Sequence, residues 1–524
     1  MMWKWVTRLV WAIVLAVLTL AIGGGVQARL HHPRLSAWHR IAPQRELRAA
    51  DMSGSFALSD YLAREEDVFR EIVERVEPAV PSTDRSATNR YVRGARSYPG
   101  RGGRNWNRTF KLVPSEVRGG ALLVHGLTDA PYSMRALAET LRASGYYALA
   151  LRMPGHGTVP AGLVHASWED WMAAVRVGVR HVRHTVGPDK PLVLVGYSNG
   201  GALVTKYALD QLEGAGDPPP SRLVLVSPMI GVTRLTALAR YTSLLGPIPG
   251  FEAARWLDVV HEYNPYKYNS FPANAALQTG RLTAVLQRQV LAARKAGRLG
   301  RLPPILTFQS IVDATVSTEA VVTALYDQLS DNGSELVLFD INRFSGLEPF
   351  IRPAEATLLT RLFDRSSRRY RRVLISNEST SLDAVERSVA AGTLEIVTRP
   401  IGLAWPRDVF SLSHVALPFP PDDPVYGGEV PPDRSGGPTL GQLSPRGERA
   451  VLTVPVDVLM RVSWNPFFDY MAGRVRETVE GTASQRLALD HPHKRGAGED
   501  SPLSIGVASQ RTEADGLSAD PSRP

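Results

Sequence analysis

The sequence predicts an α/β protein whose mostly parallel sheet is covered by helices on both faces. From Gly120 onward, short apolar runs alternate with amphipathic helical stretches, the pattern of strands buried beneath helices. One run, Leu192-Val193-Leu194-Val195, leads straight into Gly196-Tyr197-Ser198-Asn199-Gly200 and a helical stretch, giving a strand, a tight turn and a helix in succession. A hydrophobic fraction of 44% with 21% charged residues is that of a globular chain with ample core.

The elements follow in order. Strands are expected at 121–124, 147–151, 192–196, 222–226, 304–308 and 335–339, with helices at 132–144, 168–186 and 201–212. Before them lies an arm, 29–118, rich in Arg, Pro and Ser, with one helical stretch at 59–75 where Tyr61, Val68, Ile72 and Val73 recur at helical spacing. The core is expected in three parts, 119–229, 303–341 and 411–489. Two segments interrupt it. The first, 230–302, carries Tyr241, Phe251, Trp256, Tyr263, Tyr266, Tyr268 and Phe271 and is expected as a helical lid over the active-site face. The second, 342–410, is expected as an additional insert with strand-like runs of its own at 372–375 and 394–397. The polar end, 490–524, is expected to be disordered.

The N-terminus places Lys4 and Arg8 before an uncharged stretch, 9–26, which reads as a membrane anchor or a signal peptide over 1–28. Trp3, Trp5 and Trp11 suit a membrane interface and favour the anchor, whereas Val26-Gln27-Ala28 resembles a cleavage site. In either case the body is expected outside the cytoplasm, tethered and facing the periplasm or exterior, or exported to the periplasm.

The formal net charge is +9, and basic residues cluster: 263–312 holds Lys267, Arg281, Arg288, Arg294, Lys295, Arg298 and Arg301 with no acidic residue. A solvated basic face accounts for such runs, and no nucleic-acid module accompanies them. Arg281, Arg288 and Lys295 are spaced by sevens and share one helix face, which suits anionic lipid. Cysteine is absent, which excludes disulfides, a thiolate nucleophile and sulfur-ligated metal. The nucleophile is therefore an oxygen, and no metal or other cofactor is implied.

Ser198 is the candidate nucleophile, because a Gly-x-Ser-x-Gly turn between strand and helix exposes the hydroxyl and aims helix amides at a developing oxyanion. One oxyanion donor would be the amide of Asn199, and the other that of Leu127 in the loop His125-Gly126-Leu127-Thr128 after the first core strand. His125 itself stands too early in chain order for a base and is expected to pack the loop. A nucleophilic serine needs an imidazole. Among the histidines after Ser198, His261 falls in the lid and His491 and His493 in the tail, leaving His414. The acid should lie between them at a strand end; Asp313 fits, Asp340 is the runner-up and Asp408 the third choice.

His125-Gly126-Leu127-Thr128-Asp129, Pro154-Gly155-His156-Gly157, Trp168-Glu169-Asp170-Trp171, the serine turn and Asp313, in this order, resemble the bacterial carboxylesterase, monoacylglycerol lipase and lysophospholipase branch of the α/β-hydrolases. The resemblance covers 120–317 and a patch at His414. It implies a triad of Ser198, Asp313 and His414 with Leu127 and Asn199 as oxyanion donors, and gives His156 and Gly157 a structural loop. Asn199 stands where relatives commonly carry methionine, and the stretch between Asp313 and His414 is far longer than theirs. The expected function is hydrolysis of a small-molecule or lipid carboxylic ester, such as a monoglyceride or lysophospholipid, through an acyl-enzyme on Ser198. An amidase or aminopeptidase with the same triad, and a membrane-tethered binding module without turnover, are the alternatives.

Overall fold

A computed structural model of the chain describes residues 3–8, 34–231, 252–313, 315–346, 353–363, 366–429 and 462–490, together with Trp11, Ala12, Leu15, Thr19 and Leu440. Most of the expected anchor or signal and all of the tail beyond 490 lie outside the described residues. Among the described ones, no helix is long and apolar enough to cross a membrane. Contacts divide the chain into Met1–Ala483, which holds every feature discussed below, and Ser484–Pro524.

The main sheet has ten strands: β1 (Phe110–Leu112), β2 (Gly119–Val124), β3 (Tyr146–Leu151), β4 (Leu192–Tyr197), β5 (Arg222–Val226), β8 (Ile305–Ser310), β9 (Glu335–Phe339), β10 (Arg371–Asn377), β11 (Asp383–Val389) and β12 (Val397–Ala404). A separate two-stranded sheet pairs β6 (Trp256–Asp258) with β7 (Phe271–Pro272). The order in the main sheet is β1-β3-β2-β4-β5-β8-β9-β10-β11-β12. Pairing is parallel from β3 through β10 and antiparallel at both edges. Strands β2, β3, β4 and β8 are buried at every position, which is why the first three read as apolar runs.

Successive residues of β2 feed two cores. Leu122 and Val124 pack with Trp171, Val175 and Val182 of helix α3 (Trp168–Val186) and Leu203 of α4 (Asn199–Leu212). Ala121 and Leu123 face the other way, toward Leu137 and Leu141 of α2 (Arg135–Ala143) and Met471 and Val475 of a C-terminal helix, Phe468–Asp490. Helix α3 starts on a capping box, Ser167 accepting from the Asp170 amide while Asp170 accepts from the Ser167 amide.

The two interrupting segments differ in what they build. In 230–302, residues 232–251 lie outside the described part; the rest holds the β6–β7 pair and helix α5 (Ala273–Lys295). Helix α5 buries Leu282, Leu286 and Val290 and leaves Arg281, Arg288 and Lys295 exposed. The stretch 342–410, an insert in the sequence, supplies β10, β11 and β12, which prolong the main sheet; β10 is nearly all buried and pairs in parallel with β9.

The arm is fastened by a buried ionic knot. Its helix α1 (Leu58–Glu71) continues into a π-helical turn, Ile72–Val76; Tyr61, Val68 and Ile72 are buried as the spacing predicts, whereas Val73 is 38% exposed because the apolar stripe passes beside it. Arg152, at the end of β3, is fully buried and donates to both carboxylate oxygens of Glu46, at 2.8 and 3.1 Å. It also donates to the His156 carbonyl at 2.9 Å and pairs with Glu65 at 3.4 Å, while the Tyr61 hydroxyl donates to the Arg152 carbonyl. Glu65 accepts in turn from the amide and hydroxyl of Thr109. A second tie is His39, whose Nδ1 accepts from the Ser36 amide at 3.0 Å, so that Nε2 carries the proton and donates to Ser270 at 2.9 Å.

Replacing Arg152 by Met should cost about 3–5 kcal/mol of stability, since Glu46 and Glu65 would stay buried without their counter-charge. Denaturant unfolding reads this, and an unchanged midpoint would contradict it. Burial, and then Arg40, depress the His39 pKa from 6.5 to about 4, so the folded protein takes up this proton less readily than the unfolded chain. The contribution is whole above pH 6.5 and drains away as the pH falls toward about 4. Unfolding midpoints should therefore drop across that window, less steeply in His39→Gln; equal slopes in the two proteins would overturn this.

Candidate active site

The serine turn is set by how closely its helix approaches the sheet. A Cβ on Gly200 would stand 2.0 Å from the Val124 carbonyl oxygen at the end of β2, and one on Gly196 would stand 2.5 Å from the Gly200 carbonyl oxygen. Only glycine fits at either place. Between them Ser198 adopts φ 53° and ψ −118°, a conformation that costs a non-glycine residue about 1–3 kcal/mol. Three hydrogen bonds of 2.9 Å hold it: its amide donates to Val226, and its carbonyl accepts from Gly201 and Met229. Helix α4 begins at Asn199, directly after the serine.

The structure brings Ser198, His414 and Asp313 into one hydrogen-bonded chain. The Asp313 carboxylate only accepts, so His414 donates to its Oδ2 from Nδ1 at 2.8 Å. The lone pair left on His414 Nε2 then faces Ser198 Oγ at 3.0 Å. Both His414 and Ser198 are 4% exposed, enough shelter to keep bulk water from competing for these bonds.

Asp313 follows β8 and is over-supplied with donors. Its Oδ1 accepts from the Thr315 and Val316 amides at 2.9 Å each, and Oδ2 accepts from Gln309 Nε2 at 3.0 Å besides His414. Burial alone would raise its pKa, but the charge and hydrogen bond of His414 and the two amides outweigh this and hold the carboxyl below its ordinary value. The histidine comes from far along the chain because 342–410 first builds the sheet extension and then returns. Ser411 bridges to Ile341, and Asn342 binds the carbonyls of Phe410, through its amide, and Val409, through its side chain, pinning the loop before His414 to the end of β9.

The other candidates are engaged elsewhere. Asp340 accepts from Arg343 at 2.7 Å, Ser376 at 2.6 Å and the Ile341 amide, and Asp408 is exposed. His261 is exposed, and His491 and His493 lie outside the described residues. His125 accepts from the Met153 amide through Nε2 and so donates through Nδ1 to the Gly126 carbonyl; burial, and then His156, keep it well below its ordinary pKa. It braces the loop as expected of it. Burial likewise pushes His156 down to about 3, with its Nδ1 donating to Pro154.

The loop after β2 lies against the serine. A Cβ on Gly126 would stand 3.1 Å from Ser198 Cβ, so the loop that carries Leu127 comes close enough to Ser198 to leave no room for a side chain at 126. The polar side chain of Asn199 accepts from Thr279 of α5 at 3.4 Å. Among the described residues no His, Asp and Glu side chains are grouped as metal ligands. Two supporting residues escaped the sequence reading. Gln309 is a buried polar residue near the end of β8, and Tyr197 sets its ring 5.3 Å from that of His414, tilted by 30°, while its hydroxyl donates to the His414 carbonyl.

Residues 115–340 match the family described as serine aminopeptidase, S33. A thermostable monoacylglycerol lipase of Bacillus sp. (strain H-257) is 30% identical over 171 residues, which are 32% of this chain and 62% of that protein. The chain thus spans less than two thirds of that relative's length. Among solved structures, one reported for the metagenome-derived lipolytic enzymes LipS and LipT is 23% identical, with a TM-score of 0.36 over 45% of this chain and 87% of the other. The monoacylglycerol lipase of Paleococcus ferrophilus is 19% identical, with a TM-score of 0.33 over 44% and 89%. With a parallel sheet bearing a serine turn at the end of β4, residues 115–340 are thus similar in sequence to α/β-hydrolases of the esterase and monoacylglycerol lipase kind.

Proposed function

We propose that the chain hydrolyses carboxylic esters through an acyl-enzyme on Ser198, and that its substrates are monoacylglycerol-like. The observation that carries this is the hydrogen-bonded chain from Ser198 through His414 to Asp313. Ser198 Oγ attacks the carbonyl carbon as its proton passes to His414 Nε2. Asp313, held ionised by its donors, keeps the imidazole in the right tautomer and balances the charge it gains. The amides of Leu127 and Asn199 receive the oxyanion. Collapse expels the alcohol, which takes the proton from His414, and water then repeats the sequence on the acyl-enzyme to release the acid and restore Ser198.

The relative from Bacillus, itself named a monoacylglycerol lipase, supports the substrate class. So does the exposed basic face of α5, with Arg281, Arg288 and Lys295, which suits an anionic lipid surface. The basic and apolar N-terminal sequence supports a place outside the cytoplasm.

Steady-state rates on acyl esters test the assignment. Ser198→Ala and His414→Ala should each lose at least about a thousand-fold in kcat, and Asp313→Asn a loss of about the same order. Asp340→Asn should lose far less. A loss in Asp340→Asn equal to that in Asp313→Asn would move the acid to the wrong strand and defeat the proposal. Within an ester series the rate should rise from short to long acyl chains; no preference beyond the short ones would remove the lipid substrate.

A further inference from the structure

The last strand of the main sheet has one side open. Strand β12 ends the strand order and, among the described residues, pairs with β11 alone. Every residue from Leu394 to Pro400 is exposed, and three of them are apolar: Leu394 at 54%, Ile396 at 52% and Val397 at 38%. Apolar side chains gathered along a free strand edge invite a further strand. The opposite edge gives no such template, because β1 has only three residues.

Pro400 shows which way the free backbone groups point. It stands opposite Val385 and has no N–H, so these two are not a pair that exchanges hydrogen bonds. Exchange falls instead on the neighbouring pairs, Arg399 with Glu386 and, by alternation, Val397 with Ser388. The N–H and C=O of Thr398 therefore point away from β11, as do those of Ile396 once the strand is prolonged by one residue. Pro400 has no outward N–H, which bounds the open ladder on that side.

A second copy of the same edge satisfies these groups. Laid antiparallel about a two-fold axis through Val397, Ile396 and Thr398 of one copy exchange backbone hydrogen bonds with Thr398 and Ile396 of the other. The same register sets Glu395 opposite the partner's Arg399, twice over, with the two Val397 side chains between them on one face. Both charges are exposed, and neither has an ion pair among the described residues. Centring on Arg399 or on Glu395 would instead set like charges against each other. We propose that the chain forms a two-fold dimer in which the β12 strands of two copies pair antiparallel about Val397 and join the two main sheets into one.

Sedimentation of the full chain over a concentration series tests this. The wild type should pass reversibly from monomer to dimer. Glu395→Arg should weaken the dimer about ten-fold or more, since two attractive pairs become two repulsive ones. Arg399→Glu should weaken it too, and the two changes combined should recover most of the loss. The chain has no cysteine, so Val397→Cys supplies its only thiol. Opposed Cα atoms at such an axis lie about 4.5 Å apart, within disulfide reach, and a mild oxidant should link this variant into covalent dimers. Ala390→Cys, exposed between β11 and β12, should remain unlinked under the same oxidant. A wild type that is monomeric at every concentration overturns the proposal. So does a dimer indifferent to Glu395→Arg, and so does equal linking at 390 and 397.

Discussion

The approach of helix α4 to the end of β2 governs the site. With the Gly200 Cα so near the Val124 carbonyl that even a methyl group would collide, the chain between β4 and α4 has no room for an ordinary turn. The strain falls on Ser198, and the bonds to Val226, Gly201 and Met229 offset it. In return the Oγ stands clear of the strand, within reach of an imidazole, and the first amide of α4 follows it directly. A single added methyl group at 196 or 200 would have to push helix and sheet apart, and every distance in the serine chain would change with them.

The histidine shows how a sheet can lengthen without disturbing such a turn. Asp313 and His414 are 101 residues apart, but the intervening chain runs out along β9 to β12 and comes back to the end of β9. Asn342 clamps the return by binding the Phe410 and Val409 carbonyls. The length of the gap therefore reflects added strands at one edge, and the last residues before His414 are held by the same strand end that a shorter connection would use.

Much of this was legible in the sequence where burial dictates composition. Strands 222–226 and 335–339 could be bounded from their apolar runs because both sheet faces are covered. Strand β11 could not, because it is only partly buried and carries Asp383, Glu386, Arg387 and Ser388 among its seven residues. The three-residue β1 is too short for any periodicity to register, and the second strand-like run, 394–397, belongs mainly to the approach to β12. The serine, histidine and aspartate could be picked out by motif and order. Gln309 and Tyr197 could not: Gln309 reaches Asp313 only through the turn that follows β8, and the Tyr197 ring lies against His414 from far along the chain.

Whether Ser198 is an activated nucleophile can be read by peptide mapping after brief exposure to a fluorophosphonate. One phosphonyl group should be found per folded chain, on the peptide containing Ser198, with labelling lost in Ser198→Ala and sharply slowed in His414→Ala. A folded wild type that stays unlabelled, or an adduct that persists in Ser198→Ala, would show that Ser198 is not the nucleophile.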